Sequence, residues 1–496
     1  MMKKNFKYIL PLCLFLITGI SCKKEYLTPV PLTVVSDATA FDSPERILGN
    51  IRSLYFNAKG GSFYGGRYIV YGDIRGEDFI NETGNIVTGA DVWALNATGS
   101  STNSVVNLWA QAYFTINLCN ISIEGVTAKG PTVVGATLTN NYLGEARYIR
   151  ALCYYSLLQY YARPYADGTG SKPGLPLRLT GIKGPGYSDL ARSTVAQIYA
   201  QIISDLNFAE ANLPINYGTT AGSELNTTRA HRNTAIALKT RVYLSMQDYN
   251  NVIVEANKIV SAAAPFTATN PVTPGTLGVN HALQANIATV FTTTFNTTES
   301  IFSFPMSTGA GDNPGTQNQL IFYFVKNGAN LGTAEYSLNP SGIISDAGWG
   351  AADTRKASLT LLNGTKRYVY KYQKIDFTDY APVMRYSEVL LNLAEALART
   401  NTTVNTRAVA LLNAVRQRSD ASVTFNPATQ AALITAILNE RRIEFLGEGL
   451  RNNDLMRLLQ TIPGKAAVPA KAPTDQGYIW PISATEMSLN KLMVDN

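Results

Sequence analysis

Hydrophobic positions fall at helical spacing in three stretches of the chain, and lose that spacing in the two stretches between them. The clearest helix starts at Thr194, with Gln197 three residues on as a capping box. Val195, Ile198, Tyr199, Ile202, Leu206, Ala209 and Leu213 then repeat on one face, and Pro214 closes the element. A helix from about Asn140 to Tyr161 is apolar on nearly every side after Tyr148, which predicts deep burial. Residues 230–246 and 248–262 read as two more helices, broken at Gln247-Asp248. An earlier helix begins at Ser43-Pro44-Glu45, with Ser as N-cap, Pro at the first position and an acid in the first turn. The last zone holds helices over 383–400, 405–419 and 428–460.

Residues 58–103 and 264–380 are rich in Gly, Asn and Thr with scattered aromatics, and read as loops and short strands. Short helices joined by small turns pack as antiparallel hairpins. Each hairpin has an apolar face that it cannot bury alone, so pairs must stack. The expected fold is mostly α: a tetratricopeptide-like scaffold over about 41–57, 104–262 and 383–460, carrying loop-rich, partly β insertions. The grouping rests on helix pairing, since no clean 34-residue period repeats. Loops held on a rigid scaffold are where binding residues usually sit.

The first 22 residues have a separate pattern. A basic start, Met1 to Lys7, precedes 13 apolar-rich residues from Tyr8 to Ile20, too few to span a bilayer but suited to a signal peptide. Ser21 and Cys22 follow, then Lys23-Lys24-Glu25. That order predicts a lipoprotein signal over 1–21, acylation at Cys22 and an extended tether over 22–40. An ordinary secretory signal with a chance cysteine is the alternative. Loss of Lys3, Lys4 and Lys7 with the leader lowers the formal charge from +7 to +4. The remaining basic residues are scattered, which argues against a nucleic-acid partner. Cys119 and Cys153 lie in apolar helical patterns and read as small buried hydrophobes. No spacing suggests a metal site or a cofactor. His231 and His281 are the only histidines, and neither adjoins a nucleophile, zinc or phosphate-loop motif.

Six blocks, in order, resemble one known family. They are Trp109-Ala110-Gln111-Ala112-Tyr113, Gly144 to Ala151 ending in Tyr160-Tyr161, and Asp205-Leu206 to Leu213-Pro214. Arg385 to Ala396 with Leu412 to Arg416 follows. The last two are Glu440 to Phe445 with Gly449-Leu450-Arg451 and Asp454-Leu455, and Trp480-Pro481-Ile482 with Glu486 and Asn490. Together they are similar to the RagB/SusD family of Bacteroidetes outer-membrane, nutrient-binding lipoproteins. The resemblance implies one SusD-like domain over 41–496 and a lipid anchor in the outer membrane facing the cell exterior. It implies a SusC-like TonB-dependent barrel as partner, and non-catalytic capture of glycans for delivery to it.

Most motif residues read as folding determinants. Glu395 and Arg399, and the group Glu440, Arg441, Arg442 and Glu444, read as a solvated face or a structural ion-pair network. Trp109 and Trp480 read as core. A glycan site needs flat rings with polar groups at their edges. That points to Trp93, with Asp73, Arg75, Asp78 and Asn96 around it, and to Trp349 in the later irregular region. Tyr64, Tyr68, Phe322 and Tyr323 are secondary candidates, and any one of these residues is more often an ordinary packing or surface residue than a ligand contact. Two further functions stay open: a helical lid on the barrel with little glycan affinity or a non-glycan nutrient, and a surface glycosidase, whose two carboxylates need no fixed spacing.

Overall fold

The computed structural model describes residues 39–496 apart from 185, 187, 219–222, 269–270, 274–275, 293–294, 310 and 326–333. The leader, Cys22 and the tether as far as residue 38 lie outside the described residues. Eleven helices of seven or more residues are among those described. They are α1 Pro44–Ala58, α2 Arg67–Ile74, α3 Asn107–Val133, α4 Ala136–Tyr161, α5 Val195–Asn212, α6 Arg232–Ser245, α7 Tyr249–Ala256, α8 Tyr386–Arg399, α9 Thr406–Ser419, α10 Gln430–Glu444 and α11 Arg451–Arg457.

The helix starts follow from side-chain chemistry. Ser43 accepts from the Arg46 N–H and places Pro44 at the first position of α1. Thr194 and Gln197 close the predicted capping box of α5. Each of α3 to α9 packs on the next, and α10 packs on α8, so neighbours in sequence are neighbours in space. That is the stacked-hairpin scaffold the pattern predicts. Trp109 and Trp480 are buried in its core, as are the free thiols of Cys119 and Cys153. No described helix is long and apolar enough to cross a membrane.

Three elements differ from expectation. The stretch predicted as one helix over 428–460 is two, because Gly447 and Gly449 take left-handed φ values of 85° and 81° between α10 and α11. The helix expected over 248–262 ends at Ala256. The first irregular region contains α2, all eight residues of which are buried. A helix with no solvent face has no amphipathic period to read, and flanking glycines made it look like loop.

Five two-stranded antiparallel sheets lie among the described residues: β1 Phe79–Asn81 with β7 Tyr336–Leu338, β2 Pro173–Pro176 with β3 Arg192–Thr194, β4 Pro271–Thr273 with β5 Thr276–Leu277, β6 Ser300–Phe304 with β10 Ala381–Arg385, and β8 Thr360–Asn363 with β9 Lys366–Val369. The β1–β7 ladder, with Ile80 opposite Ser337, ties the two irregular regions together. The β8–β9 hairpin turns through Gly364-Thr365, where Gly364 supplies a φ of 62°.

Candidate ligand-binding cleft

Where these segments meet they enclose an open cleft of ≈ 1010 Å³. Ile80 and Leu338 come from the β1–β7 ladder, and Ser341, Ile344 and Ser345 from the loop after β7. Leu362, Lys366 and Arg367 on the β8–β9 hairpin form one side, and Arg442 with the 463–466 loop the other. A volume of this size suits a small-molecule ligand. A second cleft of ≈ 370 Å³ lies between α3, the 178–188 loop and the C-terminal tail. Its amides are already engaged: Asn120 donates to the Arg178 and Thr180 carbonyls, and Asn117 to that of Ile182. The larger cleft therefore has the better claim to a ligand.

Charge dominates its walls. Lys366 pairs with Glu82 across the β9–β1 edge. Arg442 grips Asp78 with two hydrogen bonds of 2.7 and 2.5 Å and reaches Glu77 at 2.9 Å. Arg451 also holds Glu77, donating to both of its carboxylate oxygens. Lys356 lies 5.2 Å over the Trp349 ring and donates to the Trp349 carbonyl at 2.5 Å. Arg367 donates to Thr360 Oγ1 at 2.8 Å. Lys465 is 3% exposed and donates to the carbonyls of Ile74 and Gly76. Burial pushes its ammonium well below the usual lysine range, and nearby Arg75 adds to that.

None of the eight ligand residues expected from sequence lines the cleft. Three stand directly behind it. Asp78 orients Arg442 and accepts from the Ile343 N–H at 2.7 Å. Trp93 is half-buried, donates Nε1–H to the Phe79 carbonyl at 2.8 Å and carries the Lys465 ammonium 5.5 Å over its ring. Trp349 is 2% exposed beneath Lys356, and its indole N–H has no partner.

Four others, expected as ligand contacts, are buried packing or bonding residues instead. Tyr64 is buried against Phe63, Tyr68 and Phe304, with its hydroxyl 2.9 Å from Ser156 Oγ. Tyr323 is fully buried and donates to the Gln317 carbonyl. Asp73 accepts from the Gly449 N–H at 2.8 Å, and burial pushes its carboxyl well above the usual range. Arg75 donates to the Tyr478 carbonyl beside the stacked rings of Tyr160 and Trp480, 5.9 Å from each centroid, and burial pushes its guanidinium down to about 10. These side chains fill the space between loop and scaffold. Asn96 is exposed, away from the lining. Of the secondary candidates, Tyr68 is buried and Phe322 half-buried.

Comparison with known proteins agrees with this architecture. The SusD family profile matches residues 353–496. A second profile, described as starch-binding and associating with the outer membrane, matches residues 34–244. A SusD superfamily protein from Bacteroides fragilis superposes with a TM-score of 0.79 at 29% identity, covering 92% of this chain and 99% of that one. The chain belongs to the SusD family. A SusD superfamily protein from Bacteroides thetaiotaomicron VPI-5482 gives a TM-score of 0.79 at 22% identity, with the same shares covered. Surface glycan-binding protein A from Bacteroides uniformis gives 0.70 at 19% identity, covering 92% of this chain and 99% of its own. No curated protein matches the chain. The SusD fold of these relatives is the helical-hairpin scaffold described above.

Proposed function

We propose that the protein is a non-catalytic, lipid-anchored surface component of a nutrient importer that binds glycan chains in the ≈ 1010 Å³ cleft. It passes them to a SusC-like TonB-dependent barrel, on which it sits as a lid. Cys22 carries the anchor, on the outer face of the outer membrane. The observation that carries this reading is the cleft: loop-built, wide enough for an oligosaccharide and mounted on a SusD scaffold. Ser341 and Thr365, exposed on its walls, offer hydroxyls for hydrogen bonds to sugar. The relatives named as starch-binding and glycan-binding support the same class of ligand.

Affinity electrophoresis of the purified chain against a polysaccharide panel tests it. Retardation by one or more glycans is expected, and it should weaken in Trp93→Ala. A second reading is favoured by the burial of Trp349 and Tyr323: a lid that binds the barrel and has little ligand affinity. It predicts no retardation by any glycan, with pull-down of the barrel retained.

A further inference from the structure

We infer that the cleft is built for acidic glycans, chains bearing carboxylate or sulfate groups, with Lys356 and Arg367 as the pair that meets the anion. This rests on the reading of the cleft as the glycan site and narrows its ligand class.

Five basic side chains line the cleft against two carboxylates. Two of the five are neutralised by contact: Lys366 by Glu82, and Arg442 by Asp78 and Glu77. Lys465 has no carboxylate contact, but its ammonium is turned onto two backbone carbonyls. It contributes positive potential rather than a free donor. Lys356 and Arg367 remain. Among the described residues neither has a carboxylate within ion-pair distance, and each makes one hydrogen bond to a neutral oxygen. Most of their N–H groups are therefore left for a ligand.

The two also repel each other. After burial, Arg367 is the main influence lowering the Lys356 ammonium from its usual range. Asp353 and Asp346 pull the other way more weakly. Asp353 is held by Arg355 and Arg416, and Asp346 Oδ1 accepts from the Gly348 N–H. Two like charges held side by side at a cleft wall are destabilising until an anion sits between them. A carboxylate or sulfate there would remove the repulsion and accept charge-assisted hydrogen bonds from both.

The apolar chemistry points the same way. Neutral glucans are held largely by rings stacked on their C–H faces. No aromatic side chain lines this cleft among the described residues; Trp349 is beneath Lys356 and Trp93 is behind Lys465. What the walls offer is cationic hydrogen bonding.

The test is isothermal titration of the purified full chain with three probes of equal length: an oligogalacturonate, a sulfated galactan oligosaccharide, and the carboxyl-reduced, neutral form of the first. Binding of at least one acidic probe is expected, with the neutral form roughly tenfold or more weaker, the ratio that one charged hydrogen bond supplies. The acidic arm that binds identifies the anion. Lys356→Gln and Arg367→Gln should each weaken acidic binding by roughly tenfold with unchanged melting temperature, and Lys356→Arg should retain it. If the neutral probe binds as tightly as the acidic ones, or if neither Gln variant weakens acidic binding, this inference falls and the glycan reading stands. If neither these probes nor a wide neutral panel binds, both fall.

Discussion

His231 and His281 are fully buried, with ring centroids 5.7 Å apart, and they should make the fold acid-labile. His231 caps α6: its Nδ1 accepts from the Thr234 N–H at 3.2 Å, and its Nε2–H donates to the Asn226 carbonyl at 2.9 Å. His281 donates Nδ1–H to the Thr298 carbonyl at 3.2 Å, while its Nε2 faces no partner. Both rings are thus held neutral. Burial pushes His231 down to about 4, and burial together with the neighbouring His231 pushes His281 down to about 3. An unfolded histidine titrates near about 6.5. Between there and pH 3 the unfolded chain binds more protons, so stability present above about pH 6.5 is lost as the pH falls. At about 1.4 kcal/mol per pKa unit, the pair loses roughly 6 kcal/mol between pH 7 and 4 if the two protonations add. That is comparable with the whole stability of a typical domain. Asp379, raised to about 6 by burial, works in the opposite sense: its protonation favours the folded state as the pH drops. The informative quantity is therefore a difference. Urea unfolding followed by circular dichroism from pH 7 to 4 should show the wild type losing stability faster than His231→Asn/His281→Gln, by several kcal/mol over that range. Parallel curves for the two proteins would refute the argument.

Glu444→Gln should cost about 3–5 kcal/mol in urea unfolding at neutral pH. The Glu444 carboxylate accepts from Arg355, Arg385 and Arg418 in a buried network, and losing its charge takes one anionic partner from each, leaving three buried guanidiniums to share Asp353, Glu440, Glu299 and Glu448. Gly449→Ala should lower the melting temperature, with a loss of at least roughly 1–3 kcal/mol from its left-handed backbone alone. A Cβ there would also sit 2.7 Å from the Ile69 carbonyl oxygen. Burial pushes the thiols of Cys119 and Cys153 well up, so a thiol reagent should label neither until the chain is denatured, and rapid native labelling would contradict the packing.

The scaffold was legible because its signals are local. The capping box at Thr194 and the apolar stripe from Val195 to Leu213 lie within twenty residues of one another. The charged motif residues were harder. Glu395 and Arg399 do form their i,i+4 pair, yet Glu395 is fully buried and bound as well to Arg457, 62 positions away. Nothing near Glu395 in sequence announces that partner. The cleft is the extreme case. Sequence reading pointed to the two irregular regions that supply most of the cleft wall, and Asp78, Trp93 and Trp349 adjoin the cleft from behind. Lys356 and Arg367 sit on two separate short elements and belong to no motif, and only the fold makes them neighbours. The aromatics that looked like sugar platforms are buried because long irregular segments need large side chains to fill the space beneath them.

The buried charges and the cleft charges are parts of one arrangement. Arg355 and Lys356 are consecutive on the short helical turn Thr354–Ser358. Arg355 faces inward, bridging Asp353 to Glu440 and Glu444 of α10, while Lys356 faces the cleft over Trp349. On α10 the same division recurs: Glu440 and Glu444, four apart and so on one face, point into the network, and Arg442 between them reaches the cleft wall. A cation at a cleft wall is useful for recognition only if it cannot swing away to find another partner. A turn pinned by three buried carboxylates removes that freedom. The inward pairs thus fix where the outward charges stand. Substitutions in the network are expected to reach ligand affinity through position as well as stability, whereas Lys356→Gln touches affinity alone.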